Sequence, residues 1–290
     1  MSETEWTLGR LLEWTTQYLR DKGAEFPRLD AEVLLAHVAG CRRIDLYTRF
    51  QEVASERVRG DYRHLVRRRV EGCPVAYLVG HKEFFSLDLQ VTPDVLIPRP
   101  ETEILVLELL QLARPMTNPT FVDVGTGSGA IAIAALKNHT GMRGLAIDCC
   151  AKALAVAARN ADSHGVSSRL TFLQSDLFQG VSDVNRFDFI VSNPPYVASD
   201  AWAELPVGVR DYEPRLALVG GSSGYEVIGR LIEQSRYHLH SRGYLLVETG
   251  ATQAETVVAL IKRFPEYEEP AIVHDHAGLP RVVRARRAES

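Results

Sequence analysis

Apolar positions recur at helical spacing through the first seventy residues: Leu8, Leu11, Leu12 and Leu19, then Val33, Leu34, Leu35 and Val38, then Val58, Tyr62, Leu65, Val66 and Val70. A 3.6-residue period puts each set on one stripe, so residues 5–71 are predicted to form short amphipathic helices, punctuated by Gly23, Pro27 and Gly40. No strand pattern interrupts them. Residues 1–72 therefore read as a small helical domain, suited to docking a partner rather than to chemistry. From Val75 to Val91 the pattern turns extended, with residues 77–80, 83–86 and 87–91 reading as a hairpin-like connector, 73–100, that ends in Ile97-Pro98-Arg99-Pro100.

Beyond it the period switches repeatedly. Helices are predicted at 101–113, 129–137, 150–163, 225–240 and 252–263, and strands at 120–124, 144–147, 170–174, 187–192 and 244–247, with a final strand pair near 271–274 and 281–286. Strands alternating with helices predict an α/β catalytic domain over 101–290 built on a parallel, doubly wound sheet. In such sheets ligands bind beyond the carboxyl ends of the strands, so function is sought in the loops that follow strands.

Composition narrows the class. With 46% hydrophobic and 24% charged residues the chain is an ordinary globular protein, and its longest apolar run, 130–136, falls far short of a membrane span. Glu3, Glu5, Glu13, Asp21, Glu25 and Asp30 near the start argue against secretory and transit peptides, so a cytoplasmic protein is expected. Cys41, Cys73, Cys149 and Cys150 lack C-x-x-C spacing and read as reduced thiols. A net charge of −4, with no basic domain or stripe, argues against a nucleic-acid clamp. Arg67-Arg68-Arg69 and Arg281, Arg284, Arg286 and Arg287 read as solvated charge, and His274-Asp275-His276 lacks a third spaced ligand, so no metal is expected.

Two loops carry candidate chemistry. The first predicted strand of the alternating region runs into Gly125-Thr126-Gly127-Ser128-Gly129 and then a helix. Glycines permit close backbone approach, and the helix N-terminus presents unpaired N–H groups, so a cofactor is expected against this turn. Asp148 ends the next strand, where an acidic residue accepts ribose hydroxyls, and Asp176 follows the third strand, placed to meet an adenine amino group. The loop also satisfies a looser dinucleotide pattern, so by itself it fits a nicotinamide cofactor as well as S-adenosylmethionine.

The strand at 187–192 ends directly in Asn193-Pro194-Pro195-Tyr196. Two prolines stiffen the rim and delete two backbone donors, leaving carbonyl acceptors. The Asn193 side-chain oxygen and the Pro194 carbonyl are predicted to take the two hydrogens of a planar –NH2 group while the Tyr196 ring stacks on its face. An amide nitrogen is a poor nucleophile because its lone pair is delocalised. Holding both hydrogens orients it and favours charge build-up on nitrogen, and no general base is needed before transfer.

These residues, with the segments PVAYLVG (74–80), FFSL (84–87), VLIPRPETE (95–103), SDLF (175–178), EPRLAL (213–218) and 277–283, resemble the HemK/PrmC family of protein-(glutamine-N5) methyltransferases that modify peptide chain release factors. The resemblance covers nearly the whole chain. It implies a seven-stranded Rossmann-like S-adenosylmethionine-dependent methyltransferase sheet behind a small N-terminal helical domain that recognises the substrate. The activity implied is N5-methylation of the glutamine in the Gly-Gly-Gln motif of class 1 release factors, in translation termination; a monomer is expected. Gly125, Thr126, Gly127, Ser128, Gly129, Asp148, Asp176, Leu177 and Asn193 would contact the cofactor. Asn193, Pro194, Pro195 and Tyr196 would hold the glutamine, with Arg99, Glu101 and Glu103 as candidates to brace the site. Asn-Pro-Pro-Tyr alone also occurs in adenine-amino methyltransferases. The alternatives are thus a nucleic-acid adenine, a ribosomal-protein glutamine, a non-catalytic cofactor-binding partner of translation and, last, a nicotinamide oxidoreductase.

Overall fold

A computed structural model describes residues 5–289, which divide into two compact units: the chain up to His81 together with Pro206–Tyr212, and Lys82–Leu205 together with 213 onward. The first unit is helical. Helix α1 (Leu8–Asp21) starts where Thr7 Oγ1 accepts from the Arg10 amide, and α2 (Pro27–Ala39) carries Pro27 in its first turn and stops at left-handed Gly40. A short α3 (Asp45–Thr48) leads to α4 (Glu56–Val70), capped by Ser55, and α5 (Val75–Val79). The leucine stripes predicted for α1 and α2 meet in one core: Leu8, Leu12, Leu19, Leu34, Leu35, Leu46 and Tyr62 are all buried there.

The extended reading of 77–80 is corrected. That segment is the end of α5, which begins after Pro74 and ends at Gly80 with φ 81°. One and a half turns are too short for a helical period to declare itself. The predicted connector is shared between the units, since Cys73, Leu78 and Val79 belong to the helical core. The hairpin of β1 (His81–Phe84) and β2 (Leu87–Gln90) instead sends Phe84 and Leu89 into the core of the second unit. The arginine run of α4 is not wholly solvated, because Arg69 Nε donates to the buried Asp30 at 2.7 Å.

The second unit then alternates: α6 (Glu103–Ala113), β3 (Thr120–Val124), α7 (Ala130–Asn138), β4 (Arg143–Asp148), α8 (Ala151–Ser163), β5 (Leu170–Gln174), β6 (Phe187–Ser192) and the two-residue β7 (Val197–Ala198). A single turn, α9 (Val207–Arg210), returns to the helical unit, where Tyr212 packs on the core and its hydroxyl donates to the Glu71 carbonyl. The chain resumes with β8 (Val219–Gly221), α10 (Glu226–His238), β9 (Leu239–Glu248), α11 (Ala254–Ile261), β10 (Ala271–His274) and β11 (Pro280–Arg286).

Seven of these strands form one sheet in the order β10-β11-β9-β6-β3-β4-β5. Strands β9, β6, β3, β4 and β5 run parallel, as predicted, but β11 runs antiparallel to both β9 and β10. The reason is the link between β10 and β11, which is only five residues: a parallel pair needs a crossover of about a dozen. Alternating residues face opposite ways. Phe121, Phe189, Val191 and Leu246 pack under α6 and α7, while Val122, Ile190, Leu245 and Val247 pack under α10 and α11. Among the described residues no helix is long and apolar enough to cross a membrane.

Candidate functional site

The sheet order places β3 between β4 and β6, so the chain reverses direction across the sheet at β3. Such a switch point opens a crevice at the carboxyl ends of β3 and β6. Both predicted loops leave from these ends. Ser192 Oγ, at the end of β6, donates to the Val124 carbonyl at 2.6 Å and joins the two loop bases directly.

The glycine loop is built as its sequence requires. Gly125, Gly127 and Gly129 have φ of 76°, 55° and 82°, values that favour glycine. Around Gly125 and Gly127 nothing lies within 4 Å of where a Cβ would stand, leaving room for a ligand against the main chain. A Cβ on Gly129 would instead stand 2.9 Å from Ile133 Cδ1 and 3.2 Å from Ala157 Cβ, so this glycine serves the packing of α7 against α8. Thr126 Oγ1 donates to Asp123 Oδ2 at 2.7 Å, and the Ser128 carbonyl accepts from Asn160 Nδ2 at 2.9 Å. Asn160 also pairs with both main-chain groups of Gln90 and so anchors the loop to β2, a role without a local motif.

Asp148 accepts one main-chain amide on each oxygen, Gly127 at Oδ2 and Cys150 at Oδ1, both at 2.9 Å. A carboxylate retains further lone pairs for ligand hydroxyls. Burial raises its pKa against those hydrogen bonds. Asp176 stands half-exposed and ion-paired, its Oδ2 accepting from Arg230 Nη2 at 2.6 Å, so an adenine contact there would share the carboxylate with Arg230. Leu177 buries its side chain in the core beneath α10, with a φ of 51° that is uncommon for a branched residue.

At the second loop, Asn193 Nδ2 donates to Thr102 Oγ1 at 3.1 Å, and no other hydrogen bond engages this side chain among the described residues. Its Oδ1 is therefore left as an acceptor. The Tyr196 carbonyl accepts from Gln253 Nε2 at 2.9 Å, and burial raises the pKa of the Tyr196 phenol, with Glu248 adding to the effect. Gly220 and Gly224 back the prolines closely: a Cβ would stand 2.3 Å from the Pro195 carbonyl and 2.5 Å from the Tyr196 carbonyl, respectively.

Several further side chains complete this corner; Glu213 and Glu248 carried no role in the sequence reading, whereas Arg99 and Glu103 were candidate braces there. Glu213, 5% exposed, accepts from the Ile97 amide at 3.2 Å and from Arg99 Nη2 at 2.5 Å, which pins the Ile97-Pro98-Arg99 segment. Glu103 Oε1 accepts from the Phe85 amide. Glu248 is 3% exposed at the end of β9 and its Oε2 is buried without a partner; burial pushes its pKa up to about 7 against the opposing pull of the Thr102 hydroxyl. Burial likewise pushes Asp123 up to about 7.

The reading of 281–287 as solvated charge is corrected as well. Arg281 is four-fifths buried, donates to Asp275 Oδ2 at 2.8 Å and lies 3.9 Å from Glu101, and Arg284 donates to Glu108 at 2.5 Å. Arg284 resembles part of a basic tail because its partner Glu108 lies 176 residues away, whereas Asp275 is six residues before Arg281 and is brought to it by the β10–β11 turn. Asp275 itself holds the β10–β11 turn, accepting from the Ala277 and Leu279 amides, and Arg281 keeps its carboxyl below the usual range.

Known proteins were compared with this arrangement. Residues 10–80 match the family described as the PrmC N-terminal domain and residues 101–205 the family described as the methyltransferase small domain. A release factor glutamine methyltransferase of Rhodopirellula baltica is 45% identical over 99% of this chain and 98% of its own length. The chain belongs to the release factor glutamine methyltransferase family. A second member, from Geobacter sulfurreducens, is 39% identical over 97% of each chain. The crystal structure of a methyltransferase from Pyrococcus furiosus, 17% identical, superimposes with a TM-score of 0.51 over 77% of this chain and 98% of its own, a likeness of fold. The sheet is thus that of the expected methyltransferase class. Glu213, Glu248 and Arg281 lie beyond the 101–205 match but inside the span shared with the full-length relatives of this family.

Proposed function

We propose that this protein transfers a methyl group from S-adenosylmethionine to the side-chain amide nitrogen (N5) of the glutamine in the Gly-Gly-Gln motif of class 1 peptide chain release factors. It acts as a cytoplasmic monomer whose helical unit recognises the partner. The observation that carries this reading is Asn193: with Nδ2 held by Thr102, its Oδ1 is left as an acceptor at the carboxyl end of β6, next in sequence to two prolines that lack backbone donors. A substrate that must donate two hydrogens from one nitrogen fits that arrangement.

The residues present fit the cofactor. The open main chain at Gly125 and Gly127 and the acceptor capacity of Asp148 suit a ribose. When bound, S-adenosylmethionine supplies a methyl carbon made electrophilic by its sulfonium. Asn193 Oδ1 and the Pro194 carbonyl accept the two carboxamide hydrogens, orient the nitrogen and stabilise the charge that develops there. The Tyr196 ring covers the carboxamide face and excludes water. The N-methylated nitrogen then releases one proton to solvent.

The test is direct. Radiolabelled methyl is expected on a purified release factor and is expected to vanish when its Gly-Gly-Gln glutamine becomes alanine. Label that persists in that variant, or that appears on adenine-containing DNA or a ribosomal protein instead, would overturn the assignment.

A further inference from the structure

We infer that Thr102 and Glu248 are specificity-determining positioning residues: through a directional hydrogen-bond chain they fix the Asn193 amide so that only an acceptor faces the substrate, selecting a carboxamide over a carboxylate. The inference rests on the glutamine-methylation reading above and names what enforces it.

The topology brings the three residues together. Ser192 pairs with Val247 in the parallel β6–β9 ladder, so the next step along each strand sets Asn193 beside Glu248. With side chains alternating, Asn193 follows Val191 and Glu248 follows Leu246 on the face covered by α6, and Thr102 immediately precedes that helix. Thr102 and Glu248 are 5% and 3% exposed, so protein surrounds the chain that links them to Asn193.

Direction follows from donor chemistry. An ionised carboxylate only accepts, and the Thr102 hydroxyl favours the charged form of Glu248, so the hydroxyl is the donor between them. Thr102 Oγ1 then has lone pairs and no hydrogen left for Asn193, and it takes Nδ2, as observed at 3.1 Å. The Asn193 oxygen is forced outward. A glutamine amide donates to that oxygen, whereas a glutamate carboxylate meets another acceptor. Sites that make a hydrogen bond to a substrate group discriminate strongly against an analogue unable to make it.

Protonation reverses the chain. A neutral Glu248 donates to Thr102 Oγ1, the hydroxyl turns to donate to Asn193 Oδ1, and the amide flips to present its NH2 outward. Burial holds this proton up to about pH 7, raised further by Glu101 and opposed by Thr102, Arg281 and Arg99; Glu248 in turn acts electrostatically on the Tyr196 phenol.

The experiment measures inhibition of release-factor methylation by two unreactive competitors, factors whose Gly-Gly-Gln glutamine is replaced by glutamate or by alanine. Wild-type enzyme is expected to bind the glutamate factor no better than the alanine factor above about pH 8, where Glu248 is ionised. Thr102→Val and Glu248→Gln are expected to shift that preference toward glutamate by about tenfold, one mismatched hydrogen bond, with cofactor affinity by calorimetry unchanged. Thr102→Ser should restore the wild-type preference. The wild-type preference should drift toward glutamate as pH falls through about 7, while Glu248→Gln stays flat. Unchanged selectivity in both variants, or the same pH drift in Glu248→Gln as in wild type, would sink the inference while leaving glutamine methylation intact. A wild-type enzyme that fails to methylate the Gly-Gly-Gln factor would sink the underlying reading instead.

Discussion

In the proposed mechanism the chemistry turns on Asn193, and removing its side chain takes away a preorganised acceptor. Asn193→Ala is expected to raise the barrier by at least ~2.7 kcal/mol, or lower kcat about a hundredfold at saturating cofactor. Single-turnover kinetics with saturating cofactor check this. Glu248 makes a different prediction, about stability. Its pKa rises from 4.5 to about 7 on burial, so the folded enzyme binds this proton more tightly than the unfolded chain does. Stability from this group is therefore full at acid pH and is lost as pH climbs from about 4.5 to about 7, at a cost of about 3 kcal/mol above that range. Glu248→Gln should unfold at higher urea than wild type at pH 8, and the two midpoints should converge near pH 4.5; a constant gap would contradict the burial argument. A variant that is more stable and less selective is the trade expected where a strained site serves function. At this scale the sequence marked Asn193 through its proline neighbours, yet Glu248 stands fifty-five residues later beside Thr249 and Gly250 with no motif to single it out.

At the scale of elements, hydrophobic period was a strong guide where an element had length. Strands β3, β5, β6 and β10 lie on the predicted residues, and for β3 and β6 the reason is that parallel strands buried in the middle of a sheet read as short apolar runs bounded by turn residues. The short α5 escaped because five residues cannot show a 3.6-residue period, although Pro74 before it and Gly80 after it are the ordinary start and stop signals. Strand β9 begins at Leu239, five residues before the predicted start, carried by its pairing with β6. The glycine loop joins element to function. Gly129→Ala would place a side chain at φ 82° and against Ile133 and Ala157, and is expected to cost about 1–2 kcal/mol for the backbone alone. Thermal unfolding and cofactor titration should both register it. A milder change is expected for Lys137→Ala at the far end of the same helix, where the side chain is exposed.

At the scale of the molecule, each unit has a core of its own, and that separation is testable. Leu12 is fully buried among the helices, so Leu12→Ala is expected to cost about 2–5 kcal/mol in the helical unit. Release-factor methylation should weaken through KM, while calorimetric cofactor affinity stays at the wild-type value; a loss of cofactor affinity would show that the second unit does not stand alone. The linear chain by itself determined the helical and the alternating halves and the two loops at the carboxyl ends of strands, and it supplied the proposal of an acceptor-lined rim, because period, proline and glycine act locally. Tertiary structure alone decided that β11 runs antiparallel, that Pro206–Tyr212 packs with the helices, and that Arg281 and Glu213 are paired and buried. It also decided that Thr102 and Glu248 close on Asn193. Those outcomes depend on which distant segments become neighbours, and a partner supplied from a hundred residues away leaves no trace in the spacing of the residues around it.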